Sequence, residues 1–203
     1  MILCDIGNTS AHIWDNGRTY TLGLDKFASF KITDILYYIS VNEKVHMPSA
    51  CKNLEGLLNF KSTYQGLGID RAFACYSIST GIVVDSGSAT TIDVMNNGTH
   101  LGGVILPGIQ SYLKAYEDIS PRLKCNLNTN LELDTLPQRT VDAISYGILK
   151  STIDIVNNLS YGRDIYITGG NGAFFSRFLD NSIYNKNLVF DGMLKLLKQE
   201  GLC

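Results

Sequence analysis

Three short segments hold the residue types from which phosphate chemistry could be built: Asp5-Ile6-Gly7-Asn8-Thr9, Asp85-Ser86-Gly87-Ser88-Ala89-Thr90 and Gly66-Leu67-Gly68-Ile69-Asp70-Arg71. In the first two an apolar run ends in Asp-x-Gly. The glycine lets the backbone approach a ligand closely, and successive N–H groups can form an anion-binding nest. Asn8 and Thr9 add neutral side-chain donors. A carboxylate cannot pair with a phosphate directly, so an acidic residue in such a loop implies a cation between them, Mg²⁺ acting through water. One such loop alone reads as a turn after an edge strand. Two in matching context favour nucleotide phosphate.

The third segment sets a carboxylate, Asp70, beside a guanidinium, Arg71. A carboxylate can accept the proton of an attacking hydroxyl during phosphoryl transfer, where positioning counts for more than base strength. An arginine can bind a substrate carboxylate. The glycines before Asp70 suggest a loop that presents it at a strand edge facing a cleft. In isolation a surface Asp-Arg pair explains the same residues.

Other chemistries lack their residues. No G-x-x-x-x-G-K-[ST] occurs, and Gly170-Asn171-Gly172 is only a fragment of G-x-G-x-x-G. His12, His46 and His100 show no metal spacing, and no Ser-His-Asp or Cys-His arrangement is visible. The five cysteines, Cys4, Cys51, Cys75, Cys125 and Cys203, are widely and irregularly spaced, which argues against a disulfide framework or structural zinc. A net charge of −2 lacks the basic excess of a nucleic-acid surface. No apolar run has the length of a membrane span, and the N-terminus does not read as a signal peptide. A cytoplasmic protein with reduced cysteines is expected.

The chain of 203 residues, 45% hydrophobic and 18% charged, is sufficient for two small packed lobes. An internal echo supports two. Asn16-Gly17 follows Asp5 by eleven residues, and Asn97-Gly98 follows Asp85 by twelve. Asn-Gly between alternating segments signals a hairpin, because both central residues must take positive φ. Strand, acidic loop, strand, Asn-Gly turn and strand therefore recur after eighty residues.

The remaining pattern predicts strands near Ile35–Val41, Ala72–Tyr76, Val104–Leu106 and Asp164–Ile167, and helices over Ile109–Tyr116, Val141–Leu159 and Met193–Gln199. Gly147 within a helix suggests a close backbone approach there. The glycines of Gly102 to Gly108 suggest a buried strand packed closely at both ends. Thr168-Gly169-Gly170, at a strand end, suits a flat base or ribose; in isolation either glycine set reads as only a tight turn. The fold class is α/β.

In this order, Asp5 to Thr9, Gly68 to Arg71, Asp85 to Thr91, Gly102 to Gly108 and Thr168 to Gly170 resemble the motifs of the type III pantothenate kinases over nearly the whole chain. The resemblance implies two ribonuclease-H-like lobes around a central cleft, the actin-like ATPase duplication, with lobes at 1–79 and 80–203. It implies transfer of the γ-phosphate of ATP to pantothenate in the first step of coenzyme A synthesis, with Mg²⁺, a monovalent cation (K⁺ or NH₄⁺) and a homodimer. It carries roles by position. Asp70 is the general base, and Tyr64, Gly68, Ile69, Arg71 and Thr140 bind pantothenate. Asp5, Ile6, Gly7, Asn8, Thr9, Ser10, Ala11 and His12 form the ATP phosphate loop, with Asp5 facing Mg²⁺ through water. Ser88 contacts ATP, and Asp85 is the monovalent-cation ligand. Three departures stand out: Tyr64 lies closer to the G-x-D-R motif than in the family, Arg139 replaces an Asn, and Ser88 replaces a Thr while keeping the hydroxyl. Two rivals remain, a sugar or acetate kinase of the same superfamily and a non-catalytic ligand-binding transcriptional regulator.

Overall fold

The computed structural model describes all residues from Met1 to Cys203. Along the chain come β1 (Ile2–Ile6), β2 (Ser10–Asp15), β3 (Arg18–Gly23), the one-turn α1 (Leu24–Phe27), β4 (Leu36–Ser40), the short β5 (Lys52–Asn53) and α2 (Ile69–Tyr76). There follow β6 (Gly81–Ser86), β7 (Ala89–Asn96), β8 (Thr99–Pro107), α3 (Ile109–Ile119), α4 (Thr140–Ser160), β9 (Ile165–Thr168), α5 (Gly172–Phe175), β10 (Ser182–Tyr184) and α6 (Leu188–Gln199). They form two compact units. One comprises residues 1–79, 96–101 and 187–203, and the other 80–95 and 102–186.

The two sheets repeat one topology. The first has the order β3-β2-β1-β4-β5, and the second, read from its other edge, β8-β7-β6-β9-β10. In each, the first strand pairs antiparallel with its hairpin neighbour and parallel with the later strand. The predicted Asn-Gly turns join β2 to β3 and β7 to β8, with positive φ at Asn16, Gly17, Asn97 and Gly98. Central strands β1 and β6 read as nearly unbroken apolar runs because both of their faces are covered.

The first unit's core gathers Ile2, Cys4, Ile6, Ala11, Ile13, Phe27 and Leu36. The second packs Ile82, Val84 and Ile92 of its sheet against Ile144, Ile148, Leu149 and Ile153 of α4. The spacing of those α4 residues places them on one helical stripe. Tyr161 and Gly162, both at positive φ, end that helix.

Three sequence expectations are corrected. Ala72–Tyr76 is not a strand but most of helix α2, with Arg71 through Cys75 all buried. An apolar run of four residues, Ala72 to Cys75, is too short for its periodicity to separate strand from helix. β8 is an edge strand rather than a buried one, and its Leu101 and Ile105 are exposed. Gly147 has no backbone neighbour; a Cβ there would meet only the Tyr116 hydroxyl at 3.8 Å.

The close approach lies instead at Gly192, where a Cβ would stand 2.0 Å from the Phe73 carbonyl oxygen. α6 thus lies directly against α2, and Lys195 Nζ donates to the Tyr76 carbonyl at 2.7 Å. Because the obstacle is backbone, Gly192→Ala should destabilise the protein by roughly 1–3 kcal/mol, the usual range for overpacking. Urea denaturation checks this; an unchanged midpoint would contradict the packing.

Candidate functional site

Each Asp-x-Gly segment begins at the carboxyl end of a central strand. Asp5 is half-buried near the end of β1, and Asn8 and Thr9 are exposed at the bend. The bend closes where the Gly7 N–H donates to the Ser10 carbonyl at 2.9 Å. Asn42 Nδ2 donates to the Gly7 carbonyl at 3.3 Å and braces the loop from the end of β4. Ser10, Ala11 and His12 run on into β2, with Ala11 buried and His12 paired in register with Asp5. The His12 Nδ1 lies 2.8 Å from Thr21 Oγ1. Desolvation holds the His12 imidazole below its ordinary pKa of 6.5, so the ring is neutral at neutral pH. Burial, reinforced by the Asp5 carboxylate, pushes the neighbouring Cys4 thiol far above its usual range. That thiol is chemically silent.

Asp70 lies in the first turn of α2, not at a strand edge as the glycines had suggested. Its Oδ1 accepts the Arg71 N–H at 2.7 Å. The helix start adjoins the β1–β4 strand ends. Val41 N–H donates to the Ile6 carbonyl at 3.0 Å, and Val41 Cγ1 would lie 3.9 Å from a Cβ on Gly68. The same Cβ would stand 2.6 Å from Asp70 Oδ1, so the carboxylate occupies the space a side chain would take. Arg71 is buried, and its guanidinium carbon lies 4.9 Å from the centre of the Tyr64 ring. Within the first unit, the structure therefore joins the first Asp-x-Gly loop, Gly68, Ile69, Asp70, Arg71 and Tyr64 into one continuous neighbourhood.

In the second unit, Asp85 precedes a bend closed by the Gly87 N–H donating to the Ala89 carbonyl at 2.9 Å. Ser86 Oγ and Thr90 Oγ1, both buried, lie 3.1 Å apart beneath it. Ser88 is exposed at the tip, and its carbonyl accepts the Gly108 N–H at 3.1 Å. The amino end of α3 thus borders this loop, and helix amino ends favour anions. Gly169, at φ +84°, passes so close to β6 that a Cβ would stand 2.4 Å from Asp85 Oδ1. The Asn171 N–H donates to the Ser86 carbonyl at 2.9 Å. An open cavity of about 770 Å³ lies alongside, lined by Ile109, Gln110, Leu113, Lys124, Asn171 and Phe174 among others. Thr140 stands exposed at the first position of α4, after Arg139.

Register shows two residues that sequence spacing alone had not linked to Asp85. Thr91 and Thr168 are its cross-strand partners on either side. Directly opposed residues face the same side of a sheet. The buried Thr91 hydroxyl has no hydrogen-bond partner. An oxygen row of this kind suits a hard cation. The hairpin count from Asp85 to the Asn-Gly turn could have signalled the Thr91 pairing. Nothing in the sequence could have signalled Thr168.

The strand order found twice is that of the duplicated ribonuclease-H-like fold of actin-like ATPases. A candidate 2-dehydro-3-deoxygalactonokinase from Sinorhizobium meliloti matches at a TM-score of 0.60 and 9% identity over 98% of this chain and 96% of its own, a likeness of fold. A family model described as type III pantothenate kinase matches residues 35–161. A type III pantothenate kinase of Campylobacter jejuni strain RM1221 is 48% identical over 98% of this chain and 97% of its own. The Helicobacter hepaticus enzyme of the same name is 43% identical over 98% of this chain and 100% of its own. A solved Campylobacter jejuni structure, described as a conserved candidate Baf family transcriptional activator, is 45% identical at a TM-score of 0.93 over 100% of both chains. The chain belongs to the type III pantothenate kinase family.

Gly68→Ala tests the geometry around Asp70. The residue has ordinary extended dihedrals, so alanine adds no backbone strain. It does displace the Asp70 carboxylate. If that carboxylate takes part in the reaction, kinase turnover should fall at least about tenfold, the scale on which small misplacements of a reacting group act, while the melting temperature stays within a few degrees. Full turnover would show that this contact does not hold the carboxylate.

Proposed function

We propose that the chain transfers the γ-phosphate of ATP to pantothenate, giving 4′-phosphopantothenate at the first step of coenzyme A biosynthesis. Its membership of the kinase family carries this reading. The placing of Asp70 beside Gly68 and Arg71, next to a phosphate-type loop, supports its assignment as the base. Asp70 accepts the proton of the pantothenate hydroxyl as that oxygen bonds to the γ-phosphorus. The bond from that phosphorus to the β–γ bridging oxygen breaks and ADP leaves. Arg71 binds the pantothenate carboxylate, with Tyr64, Gly68, Ile69 and Thr140 completing the substrate contacts.

The loop from Asp5 through Ile6, Gly7, Asn8, Thr9, Ser10, Ala11 and His12 binds ATP phosphate, as does Ser88. The cavity beside Asn171 and Phe174 has room for base and ribose. Asp5 would hold Mg²⁺ through water. Asp85, with the Thr91 and Thr168 hydroxyls in register beside it, suits a potassium or ammonium ion. These ions supply positive charge to the phosphates. The enzyme works in the cytoplasm as a homodimer; exposed Ile105, Ile119 and Leu136 leave apolar surface that a second copy can cover. No helix is long and apolar enough to cross a membrane.

The second reading is ligand binding without turnover, in keeping with the description given to the Campylobacter jejuni structure. ADP release measured with and without pantothenate separates the two: pantothenate-dependent release is expected, and binding with no release would favour the regulator. Asp70→Asn should then lower kcat by about 10²–10⁴ if the carboxylate is the base; near-normal kcat would remove it from that role. Replacing potassium with sodium should depress activity, whereas equal rates in the two salts would count against a monovalent ion at Asp85.

A further inference from the structure

Tyr64 and Arg71 do not receive their positions in the same way. Arg71 rides on α2. Tyr64 lies between residues 58 and 68, which form neither helix nor strand apart from a single bridge, Ser62 to His100. Backbone of that kind does not by itself hold a ring over a guanidinium.

The bridge supplies what the segment lacks. His100 is wholly buried at the start of β8, and its N–H donates to the Lys61 carbonyl at 2.9 Å. Its imidazole packs against the Phe60 ring at 6.0 Å and the Tyr64 ring at 5.9 Å. Its Nδ1 lies 2.7 Å from Ser62 Oγ. That hydroxyl also accepts the Tyr64 N–H at 3.0 Å, a turn closed by a side chain two residues back. Imidazole, hydroxyl, Tyr64 amide, Tyr64 ring and Arg71 guanidinium therefore form a chain of direct contacts leading to the residue next to Asp70.

We infer that Ser62 and His100 are positioning residues for the organic substrate, fixing Tyr64 and through it the Arg71 guanidinium so that the carboxylate of the acceptor meets a preformed cation. The inference rests on the assignment of Tyr64 and Arg71 to pantothenate. Neither Ser62 nor His100 touches the reacting atoms. Their effect falls on acceptor binding and leaves ATP binding and the chemical step alone.

Ser62→Ala removes the hydroxyl and little volume, and Ser62→Thr restores it. In steady-state kinetics with both substrates varied, Ser62→Ala should raise KM for pantothenate about five- to tenfold, the scale of one lost hydrogen bond. Its kcat and KM for ATP should stay within about twofold, and Ser62→Thr should recover most of the pantothenate KM. An unchanged pantothenate KM, or equal changes in both KM values, would overturn the inference. So would loss of the folded state in Ser62→Ala, seen by circular dichroism, since the bond would then serve stability alone. If the wild type releases no ADP in response to pantothenate, the functional reading fails and takes the inference with it. Wild-type turnover with an unaltered Ser62→Ala leaves that reading standing and removes only the inference.

Discussion

The two central strands, β1 and β6, are hydrogen-bonded on both sides, antiparallel to a hairpin partner and parallel to a later strand. A strand held this way cannot shift register without breaking two ladders at once. Its last residues are therefore fixed in space, and ligands in open α/β sheets gather outside such carboxyl ends. Asp5 and Asp85 occupy those ends, and each chain then reverses through a glycine into its hairpin. The rest of each unit either braces that reversal or packs against the sheet that carries it.

Bracing is mostly backbone against backbone, which explains the glycines. Gly169 and Gly108 approach within what would be 2.6 Å of main-chain oxygens of the second loop. Asn42 braces the first loop through the Gly7 carbonyl. Contacts of this kind leave no room for a larger residue and little freedom for the loop, so donors can meet a phosphate without reorganising first. The silent Cys4 and neutral His12 fit the same economy: the groups beside Asp5 add no competing charge.

Much of this was legible in the residues. Both hairpins were written in Asn-Gly pairs whose turn geometry demands positive φ, and the duplicated topology followed from finding the unit twice. The long helix α4 declared itself by spacing. α2 did not, since Ala72 to Cys75 are apolar without a period and only tertiary burial decides between strand and helix. The error moved Asp70 from a strand edge to a helix start. β8 read as buried because its apolar residues run together, yet its place at the sheet edge exposes them. The tie from His100 to Ser62 spans 38 residues and joins two types with no spacing rule, so only the fold could bring it out.

The helix that carries Asp70 is held down by α6, which lies more than a hundred residues further along the chain. Lys195 reaches Tyr76 across a sequence separation of 119, and Gly192 sits against Phe73. During synthesis from the amino end, the first sheet and α2 leave the ribosome long before α6 exists. Until α6 emerges, the apolar side of α2 lacks one of its covers. Asp70 then stands on a helix lacking that support. Emergence of α6, rather than completion of the first sheet, is the event that completes the packing around α2.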